Sequence, residues 1–175
     1  MGEMMDLTYR YASAADVEPV RALVERAYRG PESAKGWASE AGLLTGPRTS
    51  DEEIAGLIAG LTSRFLLAER DGVLVGCVLI EQHGEDGYFG MFSIDPGLQA
   101  AGLGRALLSK AEEAARDLWD AQGMVAVVIN LREELIAWYE RRGYALTGRR
   151  EPFPYDVHSG ALRTDFDFVE LRKEF

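Results

Sequence analysis

The stretch from residue 90 to 108, GMFSIDPGLQAAGLGRALL, constrains the fold of this 175-residue chain more than any other. An apolar segment leads here into a turn containing glycines, and the turn leads into a segment whose apolar residues recur at helical spacing. The pattern predicts a buried strand, a tight turn and the N-terminus of a helix. Helix N-termini present unpaired backbone N–H groups and a partial positive charge, so the turn indicates a site for phosphate oxygens.

Two known phosphate-binding patterns can be compared with this turn. Gly97 and Gly102 have the outer spacing of a P-loop, but Leu103 and Gly104 stand where that loop needs Lys and then Ser or Thr. The dinucleotide pattern G-x-G-x-x-G fits Gly102 and Gly104 and then fails at Leu107. The turn therefore matches neither class of nucleotide site.

The remaining pattern, QAAGLG at residues 99–104, has the form Q/R-x-x-G-x-G/A. It resembles the coenzyme A pyrophosphate loop of the GCN5-related N-acetyltransferases (GNAT family). A second segment, ELIAWYERRGY at residues 134–144, is similar to that family's motif A-x-x-x-Y-x-x-x-G-F/Y. The resemblance implies an α/β (α+β) fold with a mixed, mostly antiparallel sheet that splays at its central strand and has helices on both faces.

The resemblance also implies acetyl-CoA as the cofactor and a primary amine of a small molecule or peptide as the partner. Acetyl would pass to the amine by direct attack, without an acyl-enzyme. The alternative is a non-catalytic acyl-CoA-binding sensor or regulatory module on the same fold. Such a module would keep the glycine turn but would not need a catalytic tyrosine.

Candidate cofactor-binding residues follow from the matched motifs. The turn would hold the pyrophosphate, the Ile94 N–H would polarise the thioester carbonyl, and Asn130 would contact the pantetheine arm or an ordered water. Arg105 would add charge or would simply be a solvated helix residue, and Asn130 could instead cap the next helix. The side chains of Phe92 and Ile94 are expected in the core. The full set is Phe92, Ser93, Ile94, Gln99, Ala100, Ala101, Gly102, Leu103, Gly104, Arg105, Asn130 and Tyr139.

Two residues are predicted to be catalytic. A tyrosine has an ordinary pKa near 10, so Tyr139 would be protonated at about pH 7 and could donate its proton to the departing thiolate. In the family the matching tyrosine points at the sulfur; the alternative is that Tyr139 only packs beside Trp138. Glu81 ends a predicted strand and is the candidate general base, or else an exposed edge carboxylate.

Acceptor recognition in GNAT proteins comes from the first two helices, their connecting loop and a late loop. Trp37 and Glu40 would supply an aromatic wall and an anion for a cationic amine, although Trp37 could instead pin its loop to the core. Tyr88 and Tyr155 are further candidates. The segment 36–49 resembles a stretch, G-W-T-x-E-A-x-L-L-x-G-x-R-T, of a poorly characterised GNAT subgroup.

Composition limits the remaining possibilities. The chain has 29 acidic and 19 basic residues, a net charge of −10, which argues against nucleic acid and suits a cationic amine. Cys77 is the one cysteine and is expected to be a buried structural residue, in a protein of the reducing cytoplasm. We expect no metal site, no signal peptide and no membrane segment. A homodimer is compatible with the sequence.

Periodicity predicts one domain over residues 1–175, built from helices and strands in mixed order. The predicted strands are 7–11, 65–69, 73–81, 88–94, 124–129, 144–148 and 165–173. The predicted helices are 13–28, 50–61, 105–121 and 132–142, and residues 149–163 are predicted to form a long loop.

Overall fold

The computed structural model describes residues 6–29, 47–154, 161 and 165–175, with the backbone alone at 99–101. Seven strands in these residues form one sheet. They are β1 (Leu7–Tyr11), β2 (Ser63–Arg70), β3 (Val73–His83), β4 (Asp86–Ile94), β5 (Gly123–Ile129), β6 (Ala145–Pro152) and β7 (Asp167–Glu174). The helices are α1 (Val17–Tyr28), α2 (Asp51–Ala59), α3 (Leu103–Trp119) and α4 (Glu133–Arg141), with 3₁₀ turns at Ala14–Asp16 and Pro96–Ala101.

The sheet has the strand order β1-β2-β3-β4-β5-β7-β6, and each neighbouring pair except β4–β5 is antiparallel. The parallel pair β4–β5 is in register only at Gly87 with Met124 and at Tyr88 with Val125. Beyond Tyr88 the two strands diverge, and the sheet opens into a V. The predicted fold class is thereby confirmed, including the splay at the central strand.

Each face of the sheet carries its own hydrophobic core, because successive side chains of a strand point to opposite faces. On one face, α3 packs Leu107 and Ala111 against Ile80 and Phe89. On the other, residues of α1 and α2 join the alternating strand residues; they include Val20, Leu23, Ile54, Phe65 and Leu79. Helices therefore cover both faces, as predicted.

Strand β4 contains a bulge close to where the V opens. Cys77 of β3 is paired with Ser93 and Leu79 with Gly90, so Met91 and Phe92 together oppose a single residue. Met91 has φ 47°, which is unusual for a residue with a side chain. A bulge bends its strand and increases the local twist, so this one helps to turn β4 away from β5.

The ends of several elements differ from the prediction. Helix α3 begins at Leu103, two residues earlier than expected, and ends at Trp119, where Asp120 has a left-handed φ of 51°. The long loop predicted for 149–163 is wrong over its first residues, since β6 extends to Pro152. An ion pair between Arg150 and Asp167, at 2.7 Å, accompanies this extension of the β6–β7 pair.

Candidate active site

A cavity of about 560 Å³ lies in the V between β4 and β5. We call it the split cavity. It is lined by residues 88–92 of β4 and residues 125–129 of β5, with further side chains from α1, α4 and β3. Four residues predicted for the site line it together: Phe92, Tyr139, Glu81 and Tyr88.

Tyr139 on α4 forms part of the cavity wall although it is only 3% exposed. Its ring is held by edge-on contacts with Phe89 and Trp138, at centroid distances of 5.5 and 5.4 Å. Burial raises the pKa of Tyr139 well above its ordinary value, and the positive charge of Arg132 opposes the shift. No hydrogen-bond partner for the Tyr139 hydroxyl occurs in the part of the chain that the structure describes. A hydroxyl that lines a cavity without a protein partner can form a hydrogen bond with a ligand there.

Glu81 and Tyr88 face each other across β3 and β4. The ring of His83, two residues beyond Glu81, stacks on Tyr88 with centroids 4.7 Å apart and planes 6° from parallel. Its Nε2 lies 3.6 Å from Oε1 of Glu81. Burial raises the pKa of Tyr88, Glu81 and Glu151 raise it further, and Arg48 lowers it.

The two catalytic candidates reach the split cavity from opposite faces of the sheet. Tyr139 belongs to the core beneath α3. Glu81 follows Leu79 by two residues on β3, so the two side chains lie on the same face of the sheet. Leu79 packs beneath α1, and the Glu81 side chain is therefore on the α1 face. Both residues line the cavity where the sheet is open.

The glycine turn is positioned as the sequence predicts. A 3₁₀ turn, Pro96–Ala101, leads into Gly102, which has φ 78° and precedes the first residue of α3. A Cβ placed on Gly102 would meet nothing within 4 Å, so the space beside the turn is open. The carboxylate of Asp95 accepts the Gly97 N–H at 3.0 Å and fixes the start of the turn. Open space at a glycine-capped helix N-terminus fits a pyrophosphate.

The other cofactor-binding candidates have varied positions. Phe92 and Ile94 are buried, as expected for core side chains, and the buried Ser93 hydroxyl donates to the Met91 carbonyl at 3.0 Å. Leu103 and Gly104 are buried in the first turn of α3. Arg105 is exposed and lines a separate hollow with Arg141, Arg142 and Lys173.

Asn130 has a partner that the sequence did not suggest. Its Oδ1 accepts the Asp167 N–H at 3.0 Å, and its own N–H donates to the Asp167 carbonyl at 2.9 Å. The cap of α4 is Arg132, so the alternative role of Asn130 as a helix cap is wrong. Its contact with a cofactor stays a prediction.

Three acceptor-binding candidates, Trp37, Glu40 and Tyr155, lie outside the described residues. The same holds for the side chains of Gln99, Ala100 and Ala101. Their assigned roles stay predictions.

The structure adds charged residues to the cavity wall that the sequence analysis did not assign to a site. They are Arg48, His83, Arg132, Arg149 and Glu170, and they lie beside Glu151 of the late loop that was expected to bind the acceptor. The position of His83 could have been predicted, because it follows Glu81 by two residues on the same strand and therefore lies on the same face of the sheet. Arg48 is the arginine of the G-x-R-T pattern, but no local rule shows which way that loop turns.

Two further findings concern the described residues only. They contain no group of three or more His, Cys, Asp or Glu side chains arranged to hold a metal ion. None of their helices is both long and apolar enough to cross a bilayer.

A sheet that opens between its two parallel strands, with a glycine turn at the next helix, is the fold that this chain shares with a solved acetyltransferase structure. Residues 22–144 match the model of the acetyltransferase (GNAT) family, and the chain belongs to that family. The family resemblance of the two motifs is thus confirmed. GNAT acetyltransferases use acetyl-CoA, as the motifs imply.

Among curated proteins, the chain is similar to an IAA acetyltransferase of Azospirillum brasilense, with 32% identity over 98 residues. The alignment covers 53% of this chain and 61% of that protein. The chain thus spans about three fifths of the length of the curated relative that it matches.

Solved structures show the same fold at low sequence identity. The ribosomal-protein-S18-alanine N-acetyltransferase of Escherichia coli superposes with a TM-score of 0.71 at 17% identity, covering 96% of this chain and 93% of that one. The IAA acetyltransferase of Bacillus cereus gives 0.70 at 14% identity, covering 97% and 99%. A Bacillus anthracis acetyltransferase in complex with acetyl coenzyme A gives 0.57 at 17% identity, covering 68% and 66%.

Proposed function

We propose that this protein transfers the acetyl group of acetyl-CoA to a primary amine of a small molecule or peptide. The observation that carries the proposal is Tyr139, whose hydroxyl has no hydrogen-bond partner among the described residues and which lines the same cavity as Glu81. The cavity lies in the split of a sheet of the acetyltransferase family. A candidate proton donor, a candidate base and a cavity of about 560 Å³ therefore meet at one place.

The cofactor would be held at the glycine turn and along β4. The N–H groups at the start of α3 and the open space at Gly102 suit the pyrophosphate. Asp95 donates its N–H to the Val75 carbonyl of β3 at 2.9 Å, so strand alternation directs the preceding N–H, that of Ile94, away from β3. The role of Ile94 in polarising the thioester carbonyl stays a prediction. Acetyl-CoA supplies an acetyl group on a thioester.

Two protons move in the proposed reaction. Glu81 accepts the proton that the amine loses as the new C–N bond forms, and Tyr139 donates its proton to the sulfur as the C–S bond breaks. The raised pKa of Tyr139 keeps its hydroxyl protonated throughout the physiological range. Glu81 has 28% of its side chain exposed, so water at the mouth of the cavity can take the proton onward.

Direct attack by the amine is supported by the residues available for a covalent step. Cys77 is fully buried, and burial raises the pKa of its thiol to about 12. It does not line the split cavity, and the described lining contains no serine, threonine or cysteine. A protonated, inaccessible thiol cannot serve as an acyl carrier.

The Tyr139→Phe variant tests the proposal. We expect kcat to fall about 10- to 1000-fold, because the leaving thiolate loses its proton donor, while the Kd for acetyl-CoA changes little. Thiol release with a library of amines gives kcat, and calorimetry gives the affinity.

Tyr9→Phe, outside the cavity on β1, is the matched control. A wild-type kcat in Tyr139→Phe would show that Tyr139 is not the acid. Tight binding of acetyl-CoA with no acceleration of thiol release by any amine would instead support the non-catalytic sensor.

A further inference from the structure

Arg48 is held firmly at the wall of the split cavity. It precedes α2, and its N–H and that of Thr49 both donate to Oε1 of Glu25 on α1, at 2.6 and 2.8 Å. The Thr49 hydroxyl donates in turn to the carboxylate of Glu53 on α2. Backbone and neighbours thus fix the position from which the Arg48 side chain projects.

The guanidinium of Arg48 lies over the ring of Tyr28, with its Cζ 5.1 Å from the ring centroid. The side chain is half-buried, and it has no carboxylate partner in the described part of the chain. Arg149, on the same wall, has Glu170 at 3.9 Å. A half-buried guanidinium that forms no ion pair among the described residues can bind an anionic ligand group in the cavity.

The charges of the wall are arranged around Tyr88. The positive charge of Arg48 lowers the pKa of the Tyr88 hydroxyl, and the carboxylates of Glu81 and Glu151 raise it. All four residues line the split cavity. A ligand seated against Tyr88 therefore meets a cation and carboxylates within one site.

Resting on the proposed acetyl transfer, we infer that the acceptor is a primary amine that also carries an oxyanion, such as the carboxylate of an amino acid. The amine lies toward Glu81, and Arg48 binds the oxyanion. The planar guanidinium can donate two parallel hydrogen bonds to a carboxylate or phosphonate, which fixes the orientation of the acceptor. The acidic net charge of the chain suggested a cationic amine alone; Arg48 adds the requirement for an anion.

Matched acceptor sets test this inference. Each set contains an L-amino acid, its aminophosphonate analogue and the amine that lacks the acidic group, built on the side chains of phenylalanine, tryptophan and leucine. For wild-type protein we expect kcat/KM to be about 10- to 100-fold higher for the two oxyanion-bearing members. The ratio between carboxylate and phosphonate shows which oxyanion the site prefers.

Arg48→Gln should remove this preference, because KM rises much more for the oxyanion-bearing acceptors than for the plain amines. Arg48→Lys should restore only part of the preference, because an ammonium lacks the guanidinium fork. Arg116→Gln is the matched control: its guanidinium also lies over a ring, 4.4 Å from that of Phe175, and Arg116 is not in the cavity lining. It should behave as wild type.

Equal kcat/KM within every set, unaffected by Arg48→Gln, would overturn the inference and leave the proposed acetyl transfer standing. If acetyl-CoA binds but no amine in a broad library is acetylated, the proposed function fails. In that case, calorimetric titration of the CoA-saturated protein with the same amino acids and phosphonates tests the oxyanion site independently of acetyl transfer. Binding that is lost in Arg48→Gln supports the oxyanion site, and its absence in wild type overturns it.

Discussion

At the scale of single residues, the protonation of the site depends on where each side chain lies in the V. Tyr139 is enclosed by aromatic rings beneath α3, and its burial favours the neutral phenol. Glu81 lies on the opposite face near the mouth and is partly hydrated. An environment of this kind suits a proton donor on one side and a proton acceptor on the other.

Glu81→Gln should lower kcat/KM most strongly at neutral pH, because the acceptor is then an ammonium ion that must lose a proton before it can attack. As the pH approaches the pKa of the amine, free amine becomes abundant and the deficit should shrink. Rates from about pH 6 to 10 give the profile. Glu85→Gln, at an exposed position of the β3–β4 turn, is the control. A deficit that is constant with pH would argue against a role of Glu81 in deprotonating the ammonium ion, and the absence of a deficit at every pH would argue against Glu81 as base.

At the scale of elements, the glycine turn can be tested by charge alone. Gly102 has φ 78°, and there is free space where a side chain would project. Gly102→Asp would place a carboxylate at the proposed pyrophosphate site, and we expect acetyl-CoA affinity to fall at least about 30-fold while the fold is retained.

Gly102→Asn is the matched variant, because asparagine has nearly the same shape, tolerates a left-handed φ and carries no charge. Its affinity should be much closer to wild type. Equal affinities in the two variants would contradict the phosphate assignment of the turn. Calorimetry measures both, and circular dichroism confirms that each variant is folded.

Local signals account for most of the elements. The run from residue 90 to 108 combines an apolar strand, a glycine turn and a helical repeat, and all three are present. The bulge at Met91 could not be predicted, since it depends on how β3 and β4 are paired. β6 was read as too short because its exposed end, RREP, lacks apolar alternation and is defined by its partner β7.

The positions of candidate site residues were predictable where a motif fixes a residue on a regular element, as for Tyr139 and the glycine turn. Arg48 was not, because its position depends on Glu25, more than twenty residues earlier in the chain. Whether Arg48 reaches the cavity is decided by tertiary contacts between α1 and the segment before α2. Sequence patterns carry little information about such contacts.

At the scale of the whole molecule, a buried polar cluster connects α3 to the far half of the sheet. Glu112, 6% exposed, accepts a hydrogen bond from the Tyr144 hydroxyl at 2.7 Å and one from Nζ of Lys173 at 3.0 Å. Burial and the negative charge of Glu112 raise the pKa of Tyr144. The cluster thereby ties a helix of one half to the last strand of the other.

Glu112→Ala should lower the free energy of unfolding by about 2 kcal/mol, because Lys173 and the Tyr144 hydroxyl lose their shared partner inside the protein. Glu113→Ala removes an exposed carboxylate that pairs with Lys110 on the same helix. Because surface ion pairs contribute little, the free energy of unfolding should fall by only ~0.5 kcal/mol. Urea denaturation measures both. Equal losses would show that the cluster does not stabilise the fold.

The seven described strands share one sheet. The organisation of residues 1–175 as a single domain stays a prediction, and so does a homodimer. The short β4–β5 pairing joins the half of the sheet that ends with β4 to the half that begins with β5. At the same end, the guanidinium of Arg172 on β7 donates two hydrogen bonds to the carboxylate of Asp86 on β4, both at 3.0 Å.

The separation of β4 and β5 creates strand edges within the sheet, a feature that proteins usually avoid. Where β4 and β5 separate, each presents a strand edge to the cavity, and unpaired edges are templates on which other chains can add and aggregate. Here both edges line the split cavity, together with side chains of α4. They differ in this from the two outer edges of the sheet, β1 and β6, of which β6 is exposed along its whole length. Pairing with a second chain would therefore begin more readily at the outer edges than at the split.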